Sequence, residues 1–318
     1  MEEIEINSKV KKLGGKFLGK VGLKEKNFDP PSSDMNTSFV YYAFLEDIKE
    51  IPASKKEISQ ILPNSLIIEK GNYQFGNENY ELVDEGLYRF IFPTKINQQR
   101  IVFKDNIDAL LSSICWIFTH GNSDDKKSHI EIQQKALQSK IFATCGPFVS
   151  WANDFLQKLN LNTRIVSTLT VDLWNSYDNG HILIEIFRKN LNKWVVYDLD
   201  NSCYFTNNGT PLSVLEFVDR IKSNDYEIKK LSNKISTDIS NFKDEENQYD
   251  YAFAIEGRLA NEVQLRKWYK HVIQVPLILD KKFSYFYDSQ NKDRIEKYSI
   301  YNKYMNKNDF LKKFYEEI

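Results

Sequence analysis

Cys145 stands in the run Ala143-Thr144-Cys145-Gly146-Pro147-Phe148, just ahead of a stretch where Phe148, Ala152, Phe155, Leu156 and Leu159 recur at helical spacing. Pro147 suits the first turn of that helix, where its missing N–H has no helical partner to lose. A cysteine there lies at the positive end of the helix dipole, which favours the thiolate, the reactive form of the side chain. The same place also suits a small buried apolar residue. Further along, His181 follows Gly180 at the head of a strand pattern, and Asp198 closes the next one, Trp194-Val195-Val196-Tyr197-Asp198. A thiol, an imidazole and a carboxylate are the nucleophile, base and orienting group of acyl-transfer catalysis.

Three elements must bring these residues together. The helix from Phe148 is followed by a turn and a strand over 164–171, then by strands over 181–187 and 194–198. The polar stretch 189–192 joins the last two strands as a hairpin. If Arg188 faces Lys193, then His181 faces Asp200, and Asp198 is its diagonal neighbour on the same sheet face, within side-chain reach. Both aspartates have the right parity, so alternation leaves the choice open.

The order and spacing of these pieces resemble the transglutaminase-like superfamily of cysteine enzymes. Its pattern is a cysteine opening a helix, an exit turn similar to "GIPARVVSG", then "GHxWxEV", then "GWxxxD". Here the matching residues are Cys145; the 161–167 turn with Arg164; Gly180-His181-Ile182-Leu183-Ile184-Glu185-Ile186; and Lys193-Trp194-Val195-Val196-Tyr197-Asp198. The resemblance covers about 106–205, a third of the chain. Leu183 replaces the usual tryptophan, and Ala143 stands where a glycine often precedes the cysteine. The resemblance implies an α+β fold with a papain-like core, in which the cysteine helix packs on an antiparallel sheet bearing His and Asp. It implies Cys145 as nucleophile, His181 as base and acid, and Asp198 rather than Asp200 as orienter, with a thioester resolved by water or an amine. The Cys145 N–H is the expected oxyanion donor, and Gln138 is a second candidate by type and position. The substrate is an amide-bearing or acyl-donor molecule, including peptides and proteins, and no cofactor or metal is needed. The alternatives are an N-acyltransferase or amide-forming transferase using an activated acyl donor, and a non-catalytic binding protein that keeps the fold. Arylamine N-acetyltransferases carry "RGGxC" before the nucleophile, which Phe142-Ala143-Thr144-Cys145 lacks.

The rest of the sequence is consistent with a globular protein of this kind. The 318 residues are 42% hydrophobic and 27% charged, and 43 basic against 44 acidic side chains leave a net charge of -1. That balance argues against nucleic acid as a partner. Three cysteines without CxxC spacing, no signal-peptide pattern and no apolar run of membrane-spanning length point to a cytoplasmic, reducing setting. The pattern divides into an N-terminal arm (1–34), a mixed α/β elaboration (35–105), the catalytic core (106–210) and a mainly helical C-terminal elaboration (211–318), whose charged, Tyr-rich end (281–318) reads as a peripheral layer. Helices are expected over 38–50, 55–62 and 106–120, with a further helix ahead of Thr144. Gly14-Gly15-Lys16-Phe17-Leu18-Gly19-Lys20 matches a phosphate loop except that Val21 replaces the magnesium-binding hydroxyl residue. His120, Asp124, Asp125 and His129 lack helical metal-ligand spacing and read as a solvated loop. Arg258, Glu262, Arg266 and Lys270 read as the solvated face of a helix over 257–271. Cys115 and Cys203 read as structural.

Overall fold

Alternating apolar residues give strands and three-to-four spacing gives helices, and both recur along this chain. The computed structural model describes residues 41–44, 67–68, 71–75, 78–82, 87–91, 99–103, 107–136, 141–172, 179–231, 234–237 and 262–316. The expectations for the 1–34 arm, the 55–62 helix, the Gly14–Lys20 motif, Arg258 and Gln138 lie outside them. In chain order the elements begin β1 (Tyr41–Phe44), β2 (Ile67–Ile68), β3 (Gly71–Phe75), β4 (Glu78–Leu82), β5 (Leu87–Ile91), β6 (Gln99–Phe103), α1 (Ile107–Ile117), β7 (Phe118–His120), α2 (His129–Ala136), β8 (Ile141–Ala143) and α3 (Cys145–Lys158). They continue β9 (Thr163–Leu169), β10 (Ile182–Arg188), β11 (Lys193–Asp198), β12 (Cys203–Asn207), β13 (Thr210–Pro211), α4 (Val214–Ser223), β14 (Glu227–Lys230), β15 (Lys234–Thr237), α5 (Glu262–Val272), β16 (Val275–Asp280), β17 (Phe283–Phe286), α6 (Lys292–Tyr298), β18 (Asn302–Tyr304) and α7 (Lys307–Leu311), with a π-helical turn at Lys312–Glu316. The fold class is α+β.

The chain forms two units. The first comprises Met1–Ala152, Asp200–Ser202 and Lys230–Asn261, and the second Asn153–Leu199, Cys203–Lys229 and Glu262–Ile318. In the first unit β1 pairs antiparallel with β15, β5 pairs with β2 and β6, and β7 runs parallel to β8. Tyr41–Phe44 falls where the sequence suggests a helix over 38–50. Its strand is set by pairing with Lys234–Thr237, a partner too distant for a local window to show. The helix expected over 106–120 ends at Ile117, and Ile141–Ala143 is extended rather than helical, because each supplies one strand of the β7–β8 pair.

The second unit holds a nine-stranded sheet in the order β13-β12-β11-β10-β9-β16-β17-β18, with β14 added beside β12. Neighbours from β13 through β17 run antiparallel, and only β17–β18 on that path is parallel. Strands β16 to β18 lie in the stretch expected to be mainly helical, β17 and β18 within its peripheral end. They continue the central sheet instead, and Leu169, Val275, Leu277, Phe286 and Ile295 form a shared core cluster. In β10, Leu183, Ile184, Glu185 and Ile186 are all fully buried, so both faces of the strand are covered.

Candidate functional site

In the first unit, β8 leads through Thr144 directly into α3, whose first residue is the half-buried Cys145. Phe148 N–H donates to Thr144 O at 3.1 Å, closing the first helical turn. Two carboxylates hold the approach. Asp125 accepts the Thr144 N–H and hydroxyl, each at 2.8 Å, and Asp124 accepts the Phe142 N–H at 2.8 Å. The 121–128 loop is therefore not simply solvated. Asp124 is 1% exposed and ion-paired with Lys127 (3.0 Å) and Lys135 (2.9 Å), so it serves the strand before the cysteine. Phe118 stacks on Phe148 with ring centroids 3.9 Å apart, fixing the start of the helix. His129 Nε2 lies 3.3 Å from Ser150 Oγ.

In the second unit, Arg188 lies opposite Lys193 and Ile184 opposite Tyr197. The ladder ends there. His181 stands one residue before β10 and is held from the β9 side: Thr168 N–H donates to His181 O at 2.7 Å, and His181 N–H donates to Thr168 Oγ1 at 3.0 Å. Gly180 is required by this approach, since a Cβ there would lie 1.9 Å from Thr168 O. The imidazole Nε2 is 3.0 Å from Asp198 Oδ2, with both side chains buried. Asp200, the alternative orienter, lies in the turn after β11 and belongs to the first unit.

Two residues from α5 complete the surroundings of the pair. Tyr269 O–H donates to the same Asp198 Oδ2 at 2.8 Å, and its oxygen is 3.4 Å from Cys203 Sγ. Trp268 meets the His181 ring edge-on at 4.8 Å. Burial, then the nearby Asp198 and Cys203, push the Tyr269 hydroxyl well above the usual tyrosine range, so it remains a donor at any ordinary pH. The charged pattern of this helix gives no sign of either aromatic. Leu265, Trp268, Tyr269 and Val272 form a buried i, i+3, i+4, i+7 stripe, which is the signal that finds them. The charged residues do pair locally, Arg266 with Glu262 at 2.6 Å.

Arg164 and Glu185 meet each other rather than His181. They are directly opposite on β9 and β10, and the guanidinium donates through Nε (2.8 Å) and Nη2 (2.6 Å) to Glu185 Oε2. Of the three residues expected to do chemistry, the second unit brings His181 and Asp198 into hydrogen-bond contact, and Cys145 belongs to the first unit. Among the described residues no group of three or more His, Cys, Asp and Glu side chains is arranged to hold a metal ion, and no helix is long and apolar enough to cross a membrane. No family model, curated protein sequence or solved structure matches the chain.

Proposed function

We propose that this protein is a transglutaminase-like cysteine enzyme that performs acyl transfer on an amide substrate, with Cys145 as nucleophile, His181 as base and acid, and Asp198 as orienter. The observation that carries the reading is the buried His181–Asp198 hydrogen bond. An ionised carboxylate only accepts, so this bond makes Nε2 the protonated nitrogen and Nδ1 the basic one. The imidazole is thus preset to take a thiol proton at Nδ1 and to return it to a leaving amine. The thiolate adds to the amide carbonyl, the C–N bond breaks as the amine gains the proton, and a thioester remains. Water or an amine then attacks the thioester and frees Cys145. The first N–H groups of α3 have no partner within the helix itself, and the Cys145 N–H is suited to the developing oxyanion. The fold belonging to this reading is papain-like, and the setting is cytoplasmic.

The test is brief alkylation of the folded protein across pH, with each cysteine mapped by mass spectrometry, alongside turnover of chromogenic amides with and without an amine acceptor. Cys145 is expected to react far faster than Cys115 or Cys203, and His181→Gln is expected to remove its reactivity near neutral pH. Equal labelling of all three thiols, or full turnover by Cys145→Ala, would sink the reading.

A further inference from the structure

Asp198 Oδ2 is the meeting point of two donors from different elements. His181 Nε2 reaches it from the head of β10 at 3.0 Å and Tyr269 O–H from α5 at 2.8 Å. Across the ladder, Asp198 on β11 is directly opposite Cys203 on β12, whose Sγ is 3.4 Å from the same tyrosine oxygen. A phenol has one proton to give and lone pairs to receive. With that proton committed to the carboxylate, Cys203 S–H is the donor to Tyr269, and the hydrogen bonds run from Cys203 through Tyr269 to Asp198.

The tyrosine cannot easily turn away. Its ring stands edge-on to Phe205 at 5.2 Å and to Phe217 at 5.7 Å, and those two rings stack on each other at 3.6 Å. Among the described residues, those seen around the imidazole and its carboxylate include Cys203 from β12, Thr168 from β9, and Trp268 and Tyr269 from α5. Tyr269 is a neutral donor directed at Asp198.

We propose that Tyr269 is a positioning residue for the His181–Asp198 pair: its hydroxyl holds Asp198 Oδ2 where His181 Nε2 meets it, and draws off part of the carboxylate's charge from the imidazole. The use of this clamp in catalysis rests on the acyl-transfer reading, whereas the clamp itself does not. Without the hydroxyl, the full carboxylate charge acts on the imidazolium and raises the His181 pKa. Hydrogen bonds to ionised groups correspond to roughly one to two pH units, and partial transmission to the imidazole gives an upward shift of about half to one unit.

The experiment is an NMR titration of His181 in the full chain, carried out in wild type, Tyr269→Phe and Cys203→Ala. The chain has four histidines, and the His181 resonance is identified by its loss in His181→Gln. Tyr269→Phe is expected to raise the His181 pKa by about half to one unit, with a smaller shift in Cys203→Ala, because the thiol's hydrogen bond is to the tyrosine oxygen. A folded Tyr269→Phe with an unchanged His181 titration overturns the proposal. If Tyr269→Phe does not fold, replacing the tyrosines with 3-fluorotyrosine keeps every ring and hydroxyl while making the phenol a stronger donor. His181 then titrates lower, and no shift overturns the proposal. The same titrations in Cys145→Ala separate the two ideas. A shift that persists there, in a protein that turns over no amide, supports the clamp while the acyl-transfer reading fails on its own test.

Discussion

Replacing Glu185 with glutamine keeps the shape of the side chain and removes its charge, at a site where nothing else can supply one. Glu185 is fully buried. Its Oε2 takes two hydrogen bonds from Arg164, its Oε1 accepts the Val214 N–H at 2.7 Å, and Tyr315 O–H lies within 3.2 Å of both oxygens. The guanidinium lies 4.0 Å over the Trp194 ring and 4.4 Å over the Tyr315 ring, and also donates to Phe314 O. An amide can offer Arg164 one acceptor and turns an N–H₂ toward another donor, leaving a cation that is 10% exposed without its counter-charge. Breaking a buried pair in this way costs about 3–5 kcal/mol. With a urea dependence of about 2 kcal/mol per molar, the unfolding midpoint falls by about 2 M. Because a two-unit chain need not unfold in one step, hydrogen exchange at the β9 and β10 amides is the direct readout. A joint replacement, Arg164→Leu with Glu185→Leu, is expected to cost less than Glu185→Gln, because no charge is left behind. Cys145 alkylation per folded molecule should be unchanged by Glu185→Gln. A loss below about 1 kcal/mol would refute the argument that the charge is buried and paired, and a selective loss of Cys145 reactivity would place Glu185 in the chemistry.

Gly180→Ala forces a Cβ to within 1.9 Å of Thr168 O. The backbone must move, so a loss of about 1–3 kcal/mol by urea titration is expected, with a displaced His181 NMR signal as the local marker. Burial raises Tyr226 to about 12, and burial above all holds Tyr269 and Tyr315 well above the usual range. Their unfolded counterparts ionise near pH 10, so above that pH the unfolded chain binds fewer protons than the folded one and stability falls as pH rises. Each of the three tyrosines contributes about 1.4 kcal/mol per pH unit while it alone remains protonated in the fold. Urea midpoints at pH 9, 10 and 11 should decline mostly over the upper interval, and less steeply in Tyr226→Phe.

The hairpin that carries the candidate pair is legible in the sequence because its signals are local. Alternation marks β10 and β11, and the polar 189–192 turn makes Arg188 face Lys193. The identity of the aspartate beside His181 is not legible from that register. Extending the ladder places Asp200 opposite His181, but the ladder stops at Ile184–Tyr197 and His181 takes its backbone partners from Thr168. Strands β1, β8 and β16 to β18 escape a local reading for a related reason. Each is extended because a partner strand elsewhere in the chain completes its hydrogen bonds, and short apolar runs fit helix and strand alike. Tyr269 was hidden by the charges around it, since Glu262 and Arg266 on the same helix make a plausible solvated face whatever the other side does.

The register also explains why the charged residues of the resemblance fall into two jobs. Side chains alternate along a strand, so Arg164, Val166 and Thr168 on β9 share a face with His181, Leu183 and Glu185 on this side of β10. On that face the Val166–Leu183 pair, both residues fully buried, separates Thr168 and His181 from the Arg164–Glu185 pair. An uncompensated charge is costly in such surroundings, and each cluster meets charge with a partner. Arg164 and Glu185 do so as an ion pair that ties β9 to β10. His181 and Asp198 do so through a hydrogen bond between carboxylate and imidazole, the side-chain type suited to passing a proton. Under the proposed acyl transfer, it is substitutions at the His181 end of this face, rather than at the Arg164–Glu185 pair, that are expected to change the reactivity of Cys145.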